Sequence, residues 1–202
     1  MTDKITDQPD GATPLDDISG LLRDEITTRK QLNAAETLNI LSAEDWIEGG
    51  RLGDLFTVEF YEKLHKRMYD QVWQWAGTLR SETGVRPNIG VAPEMVPMEL
   101  GRVAMNYNEK WKTYDQENLI PFIASYHHAM VRVHPFNNGN GRWSRLVCDV
   151  VLKRLTEVKP INWASDTLNV NSDERKQYIA ALKRADDFDY QPLIDYLKKL
   201  NP

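Results

Sequence analysis

Apolar residues recur every three or four positions along most of this chain, which is the spacing of one face of an α-helix. Thr28, Thr57 and Ser172 each precede such a segment and are residue types that cap helix N-termini. Gly49 and Gly50 end an early segment. The predicted helices cover residues 28–40, 42–48, 57–75, 97–114, 122–133, 142–155, 172–184 and 190–200. The pattern therefore predicts an all-α fold with about eight helices.

The segment 78–97 departs from this pattern. Its GVRPNIG sequence, residues 84–90, is rich in glycine and proline, and the β-prone residues Val85, Ile89 and Val91 lie in or beside it. These features favour a small hairpin or an extended flap. The alternative is an ordinary surface connection between two helices.

The first 24 residues contain few large apolar side chains. Residues 1–24 are therefore expected to form a flexible arm or to lie over the surface. Residues 25–202 are expected to form one domain that begins with a helix. The polar start lacks the apolar middle of a signal peptide, and no apolar run approaches the roughly 20 residues that span a bilayer. We expect a cytoplasmic protein without a membrane segment.

The composition is ordinary for a soluble globular protein, with 41% hydrophobic and 27% charged residues. The formal net charge of -5 argues against broad electrostatic binding of nucleic acid, although a local basic pocket is compatible with it. Cys148 is the single cysteine, so it cannot form an intramolecular disulfide. We expect it to be a small core residue.

The densest set of chemically active side chains lies at residues 134–145, HPFNNGNGRWSR. Pro135 and the Asn/Gly run interrupt the helical pattern, so one helix ends near His134 and a second begins after the loop. Free N–H groups at the start of the second helix attract anions, and Arg142 and Arg145 lie on the same side of its first turn. Each feature alone is common in turns and at helix ends. Their combination in one short stretch indicates a phosphate-handling site.

This stretch resembles the Fic motif, HPFx(D/E)GN(G/K)R followed by a second arginine. The resemblance continues through LHKRMYDQVWQWAGTLR at 64–80 and YIAALKRADDFDYQPLIDYL at 178–197, and it covers most of residues 25–198. Within the Fic (Fic/Doc) family the chain is most similar to the small bacterial proteins called mobile mystery protein B. The resemblance implies a Fic-type helical bundle with a small β-hairpin flap beside the active-site loop.

The resemblance also implies an activity, which is transfer of AMP from ATP to a Ser, Thr or Tyr hydroxyl of a target protein, usually with Mg²⁺. His134 would be the general base, and Phe136 would point into the core. Arg142 would neutralise the leaving pyrophosphate, and Arg145 would bind the terminal phosphate. The nucleotide-binding set would be Asn137, Gly139, Asn140, Gly141, Arg142 and Arg145. The flap, which would pair with an extended stretch of the target, would consist of Arg86, Pro87, Asn88, Ile89, Gly90 and Val91.

Two features of the motif refine these roles. Asn138 stands where most Fic proteins have Asp or Glu for the metal, so Asn138 is a weak candidate ligand for Mg²⁺. Gly139 and Gly141 stand where the phosphorylating Doc branch has alanine and lysine. The two glycines therefore favour nucleotidyl transfer over phosphoryl transfer.

Many Fic proteins also carry an inhibitory helix, (S/T)xxxE(G/N), whose glutamate pairs with the second arginine of the motif, here Arg145. No segment of this chain matches that pattern fully. Glu36 is the preferred inhibitory candidate, although Leu32 stands where Ser or Thr is expected. Glu48 is followed by Gly49 but also lacks the Ser or Thr. The alternative for Glu36 is an ordinary helix glutamate that faces solvent.

Two other functions stay open at this point. One is a non-catalytic nucleotide-binding or interaction module with the same fold, which incubation with labelled ATP would distinguish from an enzyme. The other is a metal hydrolase built on His127, His128 and His134. It is weaker, because adjacent helix histidines point apart and no acidic residue has ligand spacing with them.

Overall fold

The computed structural model describes residues 4–6, 15, 17–87, 89–163, 168 and 172–200. Within these residues the chain is helical, and its β-structure is limited to two isolated bridges. The all-α prediction is confirmed. None of the helices described is long and apolar enough to cross a bilayer. The helices are α1 (Arg29–Gly49), α2 (Val58–Tyr69), α3 (Arg80–Thr83), α4 (Val96–Lys112), α5 (Leu119–Val133), α6 (Asn140–Leu155), α7 (Asp173–Asp186) and α8 (Gln191–Leu200), with short 3₁₀ turns at Pro93–Met95 and Gln116–Asn118.

Three helices begin at the predicted capping residues. The hydroxyl of Thr28 accepts the N–H of Gln31, and the side chain of Gln31 accepts the N–H of Thr28 in return. Thr57 and Ser172 accept the N–H groups three residues later in the same way. Each cap contributes about 1 kcal/mol.

α1 is one continuous helix, so the predicted break at Ser42 is wrong. Ala43 and Ile47 are buried and continue the face that begins with Ala35. The core therefore holds the helix through Ser42, which is an interior position rather than an N-cap. The helix ends at Gly49, as predicted.

α2 ends at Tyr69, so the prediction that it continues to residue 75 is wrong. Val72 and Trp73 are buried at helical spacing, but they lie in turns that pair with the N-terminal segment. The N–H of Leu22 donates to the carbonyl of Val72 at 2.9 Å. The last part of the predicted arm is thus bonded to the chain that follows α2.

α5 is central to the core and contacts α4, α6, α7 and α8. Its Ile123 and Tyr126 are fully buried. α2 contacts α1, α4 and α6. Phe136 and Cys148 are fully buried as well, as predicted. The junction between α5 and α6, which carries the 134–145 stretch, is therefore held between the central helix and α2.

The predicted β-hairpin at residues 86–91 is not seen in the described part of the chain. Apart from Asn88, which lies outside the described residues, the segment 84–92 consists of bends and coil. The carbonyl of Val91 accepts a hydrogen bond from the guanidinium of Arg80, so this carbonyl is already bonded without a partner strand. The flap is thus a loop rather than a hairpin, and it extends beyond the predicted segment to residues 84–92.

Candidate active site

His134 caps the C-terminus of α5 in a left-handed backbone conformation, with φ 52° and ψ 61°. Its N–H still donates to the carbonyl of Met130 at 3.1 Å, which completes the last turn. This conformation costs a non-glycine residue about 1–2 kcal/mol, and such strain is common at functional sites. Pro135 follows and prevents the helix from continuing. The imidazole is therefore fixed at the point where α5 ends.

The flap packs against the side chain of His134, and only 4% of the residue is exposed. A Cβ atom at Gly90 would lie 2.5 Å from the Cβ of His134, and Gly90 has φ 96°. Burial, together with the positive charge of Arg80, lowers the pKa of His134 to about 4. His134 is thus neutral at pH 7 and can accept a proton from a hydroxyl.

Asn140 holds the loop after His134 in shape. Its amide donates to the carbonyl of Phe136 at 2.8 Å, and its Oδ1 accepts the N–H of Phe136 at 2.9 Å. The resemblance assigns Asn140 to the phosphates, but its side chain is buried and bonded within the loop. Asn140 therefore contributes to a nucleotide site through the conformation of the loop.

The other two loop asparagines also make local hydrogen bonds. Oδ1 of Asn138 accepts the N–H of Gly139 at 2.7 Å. Oδ1 of Asn137 accepts the hydroxyl of Thr83, at the end of α3, at 2.6 Å. These bonds tie the loop to itself and to α3.

The two loop glycines have different surroundings. Gly139 has φ 76°, and a Cβ atom there would lie 2.6 Å from Cζ of Tyr69. At Gly141 a Cβ atom would meet only the guanidinium of Arg145, at 3.7 Å. Glycine at 139 is thus required by the ring of Tyr69, whereas the backbone at 141 borders space that a ligand can approach.

Arg142 forms a buried ion pair with Glu36. Its Nη1 lies 2.8 Å from Oε2 of Glu36, and its guanidinium lies over the ring of Tyr69 at 5.3 Å. The other oxygen of Glu36 accepts the indole N–H of Trp73 at 2.7 Å. Burial alone would lower the pKa of Arg142, but the carboxylate of Glu36 raises it. Glu36 is 2% exposed, so it is not a solvent-facing helix residue.

The partner of Glu36 is not the expected one. The resemblance predicts an inhibitory glutamate at the second arginine, Arg145, but Glu36 pairs with the first, Arg142. Arg145 is buried and hydrogen-bonds to the hydroxyl of Tyr178, whose other partner is Nε2 of His127 at 2.7 Å. The two arginines therefore face different neighbours: α1 and α2 surround Arg142, and α7 contacts Arg145.

His65, which no sequence pattern assigns to the site, supports the loop from α2. The N–H of Gly77 donates to Nδ1 at 2.9 Å, and Nε2 lies 3.1 Å from the carbonyl of Asn138. Because Nδ1 accepts, the ring proton is on Nε2. The ring stacks on Phe136 with centroids 3.7 Å apart. Burial lowers the pKa of His65 to about 3, so this neutral tautomer persists at pH 7.

Arg80 is a second residue that sequence reasoning missed. Its guanidinium donates to carbonyls of the flap and of the last residues of α5. Arg80 and His65 both lie in the segment 64–80 that carries part of the family resemblance, and this is the signal that points to them. Their partners are backbone carbonyls, which leave no trace in an amino-acid sequence.

The three histidines of the metal-hydrolase alternative have separate partners. His127 bonds to Tyr178, Nε2 of His128 lies 2.9 Å from Asp186, and His134 lies against the flap. Among the described residues, no group of three or more His, Cys, Asp or Glu side chains is placed to bind a metal ion.

Position 138 is also a poor fit for Mg²⁺. It offers an amide oxygen in place of a carboxylate, and this oxygen of Asn138 already accepts the N–H of Gly139. Mg²⁺ in proteins is bound mainly through carboxylates together with substrate phosphates. The amide supplies only a dipole to such an ion.

The sequence has clear relatives among known proteins. The profile of the Fic/DOC family matches residues 55–152. The protein adenylyltransferase Fic of Aedes aegypti is 26% identical over 147 residues, which are 71% of this chain and 27% of that protein. The enzyme of the same name from Drosophila grimshawi is 28% identical over 138 residues, which are 67% of this chain and 26% of that protein. The chain thus spans about a quarter of the length of these curated relatives.

Solved structures show the same fold. Fic-1 of C. elegans is 23% identical with a TM-score of 0.61, and the match covers 90% of this chain and 51% of that one. BepC, a VirB-translocated effector of Bartonella tribocorum solved with bound AMPPNP, is 17% identical with a TM-score of 0.66. That match covers 87% of this chain and 88% of BepC.

Proposed function

We propose that this chain, whose residues 55–152 match the profile of the Fic/DOC family, is a protein adenylyltransferase. It would transfer AMP from ATP to the hydroxyl of a Ser, Thr or Tyr residue on a target protein. The names of the curated relatives support this activity, and the AMPPNP bound by BepC supports ATP as the nucleotide. The observation that carries the proposal is the neutral imidazole of His134 beside a loop that leads into two arginines of α6.

The proposed reaction needs a base and a site for negative charge. The hydroxyl oxygen of the target attacks the α-phosphorus of ATP, the bond from that phosphorus to the bridging oxygen breaks, and pyrophosphate leaves. His134 takes the hydroxyl proton. The N–H groups at the start of α6, with Arg142 and Arg145, offset the charge that develops on the pyrophosphate.

One contact would oppose this reaction. Glu36 neutralises Arg142. A phosphate that binds Arg142 must displace the carboxylate of Glu36, since both anions compete for one guanidinium. We therefore propose that Glu36 inhibits the enzyme, with Arg142 as its partner.

Magnesium would be held chiefly by the phosphates of ATP, because position 138 supplies only an amide. No step of the proposed reaction depends on a metal ligand of the chain. Similarity to mobile mystery protein B, a bacterial source and a cytoplasmic location stay predictions, and the two curated relatives described above come from insects.

The test is intact-mass measurement of the purified protein, and of proteins in a lysate, after incubation with ATP, CTP, GTP or UTP. The expected result is a mass gain of one AMP with ATP, which is stronger in Glu36→Gln and on the order of 10²-fold weaker in Glu36→Gln/His134→Gln than in Glu36→Gln. Binding of ATP without any transfer, even by Glu36→Gln, would favour the second candidate function, the non-catalytic nucleotide-binding module. The observation that favours the non-catalytic module is that His134 and Glu36 are both buried.

A further inference from the structure

The guanidinium of Arg80 joins the flap to the end of α5. Its Nε donates to the carbonyl of His134 at 2.5 Å, and its Nη2 donates to the carbonyl of Val133 at 3.2 Å. The same Nη2 donates to the carbonyl of Val91 in the flap. One side chain therefore satisfies carbonyls on both sides of the catalytic imidazole.

The backbone of Arg80 is anchored to the same region. Its N–H donates to the carbonyl of Pro135 at 2.9 Å, and Leu79 forms an antiparallel bridge with Phe136. Arg80 thus bonds three successive carbonyls, at positions 133, 134 and 135. These are carbonyls that the end of a helix leaves without intrahelical partners. The backbone of His134 is fixed from both sides by this one residue.

The flap lies directly on this arrangement. A Cβ atom at Gly90 would lie 3.0 Å from Nη2 of Arg80 and 3.2 Å from the carbonyl oxygen of Val133. The flap backbone therefore lies against the guanidinium of Arg80 as well as the Cβ of His134. A change in the position of Arg80 must move the flap and His134 together.

Burial of Arg80 carries a large desolvation penalty, so its position is not explained by a gain in stability. It is fully buried, and none of the ion pairs found among the described residues includes it. A buried guanidinium without a carboxylate loses most of its favourable hydration, and hydrogen bonds to neutral carbonyls offset only part of this loss. The negative end of the α5 dipole adds a small favourable contribution. The contacts of Arg80 therefore point to a positional role.

We infer that Arg80 is a positioning residue that holds the general base His134 and the target-binding flap in one fixed relation. The inference rests on the proposed function for the role of His134, and on the family resemblance for the target-binding role of the flap. The nucleotide phosphates lie on the α6 side of the loop in that proposal, and Arg80 contacts the other side. Loss of Arg80 should therefore impair the target hydroxyl step and leave ATP binding nearly unchanged.

Two variants separate the charge of Arg80 from its fork of donors. Arg80→Lys keeps a positive charge near His134, but one ammonium cannot donate to Val91 and His134 in the geometry of a guanidinium. Arg80→Met removes both the positive charge and the hydrogen-bond donors. Arg102→Met is the matched control, because Arg102 is exposed on α4 and pairs only with its helix neighbour Glu99 in the described structure.

Four measurements are needed: amide hydrogen exchange of residues 84–92, the titration of His134 by NMR, and, in a Glu36→Gln background, the ATP affinity by calorimetry and the transfer rate. Both Arg80 variants should speed flap exchange at least 10-fold. Arg80→Met should raise the pKa of His134 more than Arg80→Lys does, since only Arg80→Met also removes the positive charge. Transfer should fall at least 10-fold in both, with ATP affinity changed less than threefold. If Arg80→Met does not fold, flap exchange in Arg80→Lys decides.

Unchanged flap exchange in folded Arg80→Lys would overturn the inference, as would a parallel loss of ATP affinity and transfer. The exchange and NMR measurements do not depend on catalysis. A protein that transfers no AMP would contradict the proposed function, while these two measurements would still show whether Arg80 holds the flap against His134.

Discussion

Nη1 of Arg142 lies 2.8 Å from Oε2 of Glu36, so a carboxylate of α1 is paired with a guanidinium at the start of α6. Both side chains are largely buried, and Trp73 holds the second carboxylate oxygen. A buried pair of this kind contributes little net stability, but removal of one partner leaves an unpaired charge. The pair is therefore sensitive to any anion that can replace the carboxylate.

Glu36→Gln should convert this pair into an open anion site. The amide oxygen can still accept the indole N–H of Trp73, while the charge opposite Arg142 is lost. We expect the protein without nucleotide to lose about 3 kcal/mol of stability, because Arg142 stays buried without a counterion. We expect ATP affinity to rise about tenfold, which corresponds to about 1.4 kcal/mol. Thermal unfolding with and without ATP, together with calorimetry, measures both effects.

Glu48→Gln is the control for this experiment. Glu48 lies on the same helix and pairs with Lys153, but both side chains are about half exposed. Exposed ion pairs contribute at most about 1 kcal/mol. If Glu48→Gln and Glu36→Gln raise ATP affinity equally, Glu36 has no specific inhibitory role.

His134 and Arg145 should affect different steps. In a Glu36→Gln background, His134→Gln should lower transfer on the order of 10²-fold or more with little change in ATP affinity, because the imidazole acts on the target hydroxyl. Arg145→Lys should weaken ATP binding first, since the second arginine is proposed to bind phosphate. Calorimetry and single-turnover transfer compare the two. A similar loss of ATP binding in both variants would make His134 a structural residue.

Local sequence patterns predicted the elements that local physics decides. The caps at Thr28 and Thr57 and the end of α1 at Gly49 depend on neighbouring residues only, and all three are confirmed. The end of α2 was not predictable, because Val72 and Trp73 keep helical spacing while they pack in a turn.

The candidate site was located by its motif, but several of its contacts were not. The role of Glu36 depends on which helix packs against α1. The sequence of α1 alone does not show that Glu36 pairs with a residue of α6. Arg80 and His65 bind backbone carbonyls, which every residue possesses. Asn140 is suited to a phosphate as well as to a loop carbonyl, and the loop geometry selects Phe136. Tertiary packing decides each of these cases.

The two loop glycines should respond differently to alanine. Gly139→Ala places a methyl group 2.6 Å from the ring of Tyr69 at φ 76°, so we expect a loss of about 2 kcal/mol or more. Gly141→Ala makes only an ordinary contact with the guanidinium of Arg145, at 3.7 Å within α6, and should be neutral or stabilising by up to about 1 kcal/mol. Urea unfolding measures both. Equal destabilisation by the two variants would contradict the close packing of Gly139 against Tyr69.

The free energy of unfolding should decrease as the pH is lowered from about 6.5 to 4, partly because three histidines are buried. Burial lowers the pKa of His65 and His127 to about 3 and that of His134 to about 4. In this range the unfolded chain binds protons that the folded protein does not, so each histidine contributes a slope of about 1.4 kcal/mol per pH unit. Asp149, whose pKa burial raises to about 7, acts in the opposite direction.

His65→Phe isolates one of these contributions. The phenyl ring keeps the stacking surface for Phe136 and cannot titrate. We expect the stability of the variant to depend less on pH than that of the wild type, by about 1.4 kcal/mol per pH unit between pH 6 and pH 4. Urea unfolding at several pH values gives both slopes. Parallel slopes would show that His65 is protonated in the folded protein.

Asn138 sets how much the chain itself contributes to magnesium binding. Its Oδ1 accepts the N–H of Gly139, and Asn138→Asp would keep an oxygen at this position while adding a negative charge. In a Glu36→Gln background at saturating ATP, Asn138→Asp should reach half of its maximal transfer rate at a lower Mg²⁺ concentration, by several-fold. A magnesium titration of both proteins measures this, and mass spectrometry of the product shows that the same transfer is followed. Identical half-saturation points would mean that position 138 serves the loop alone, through its bond to Gly139.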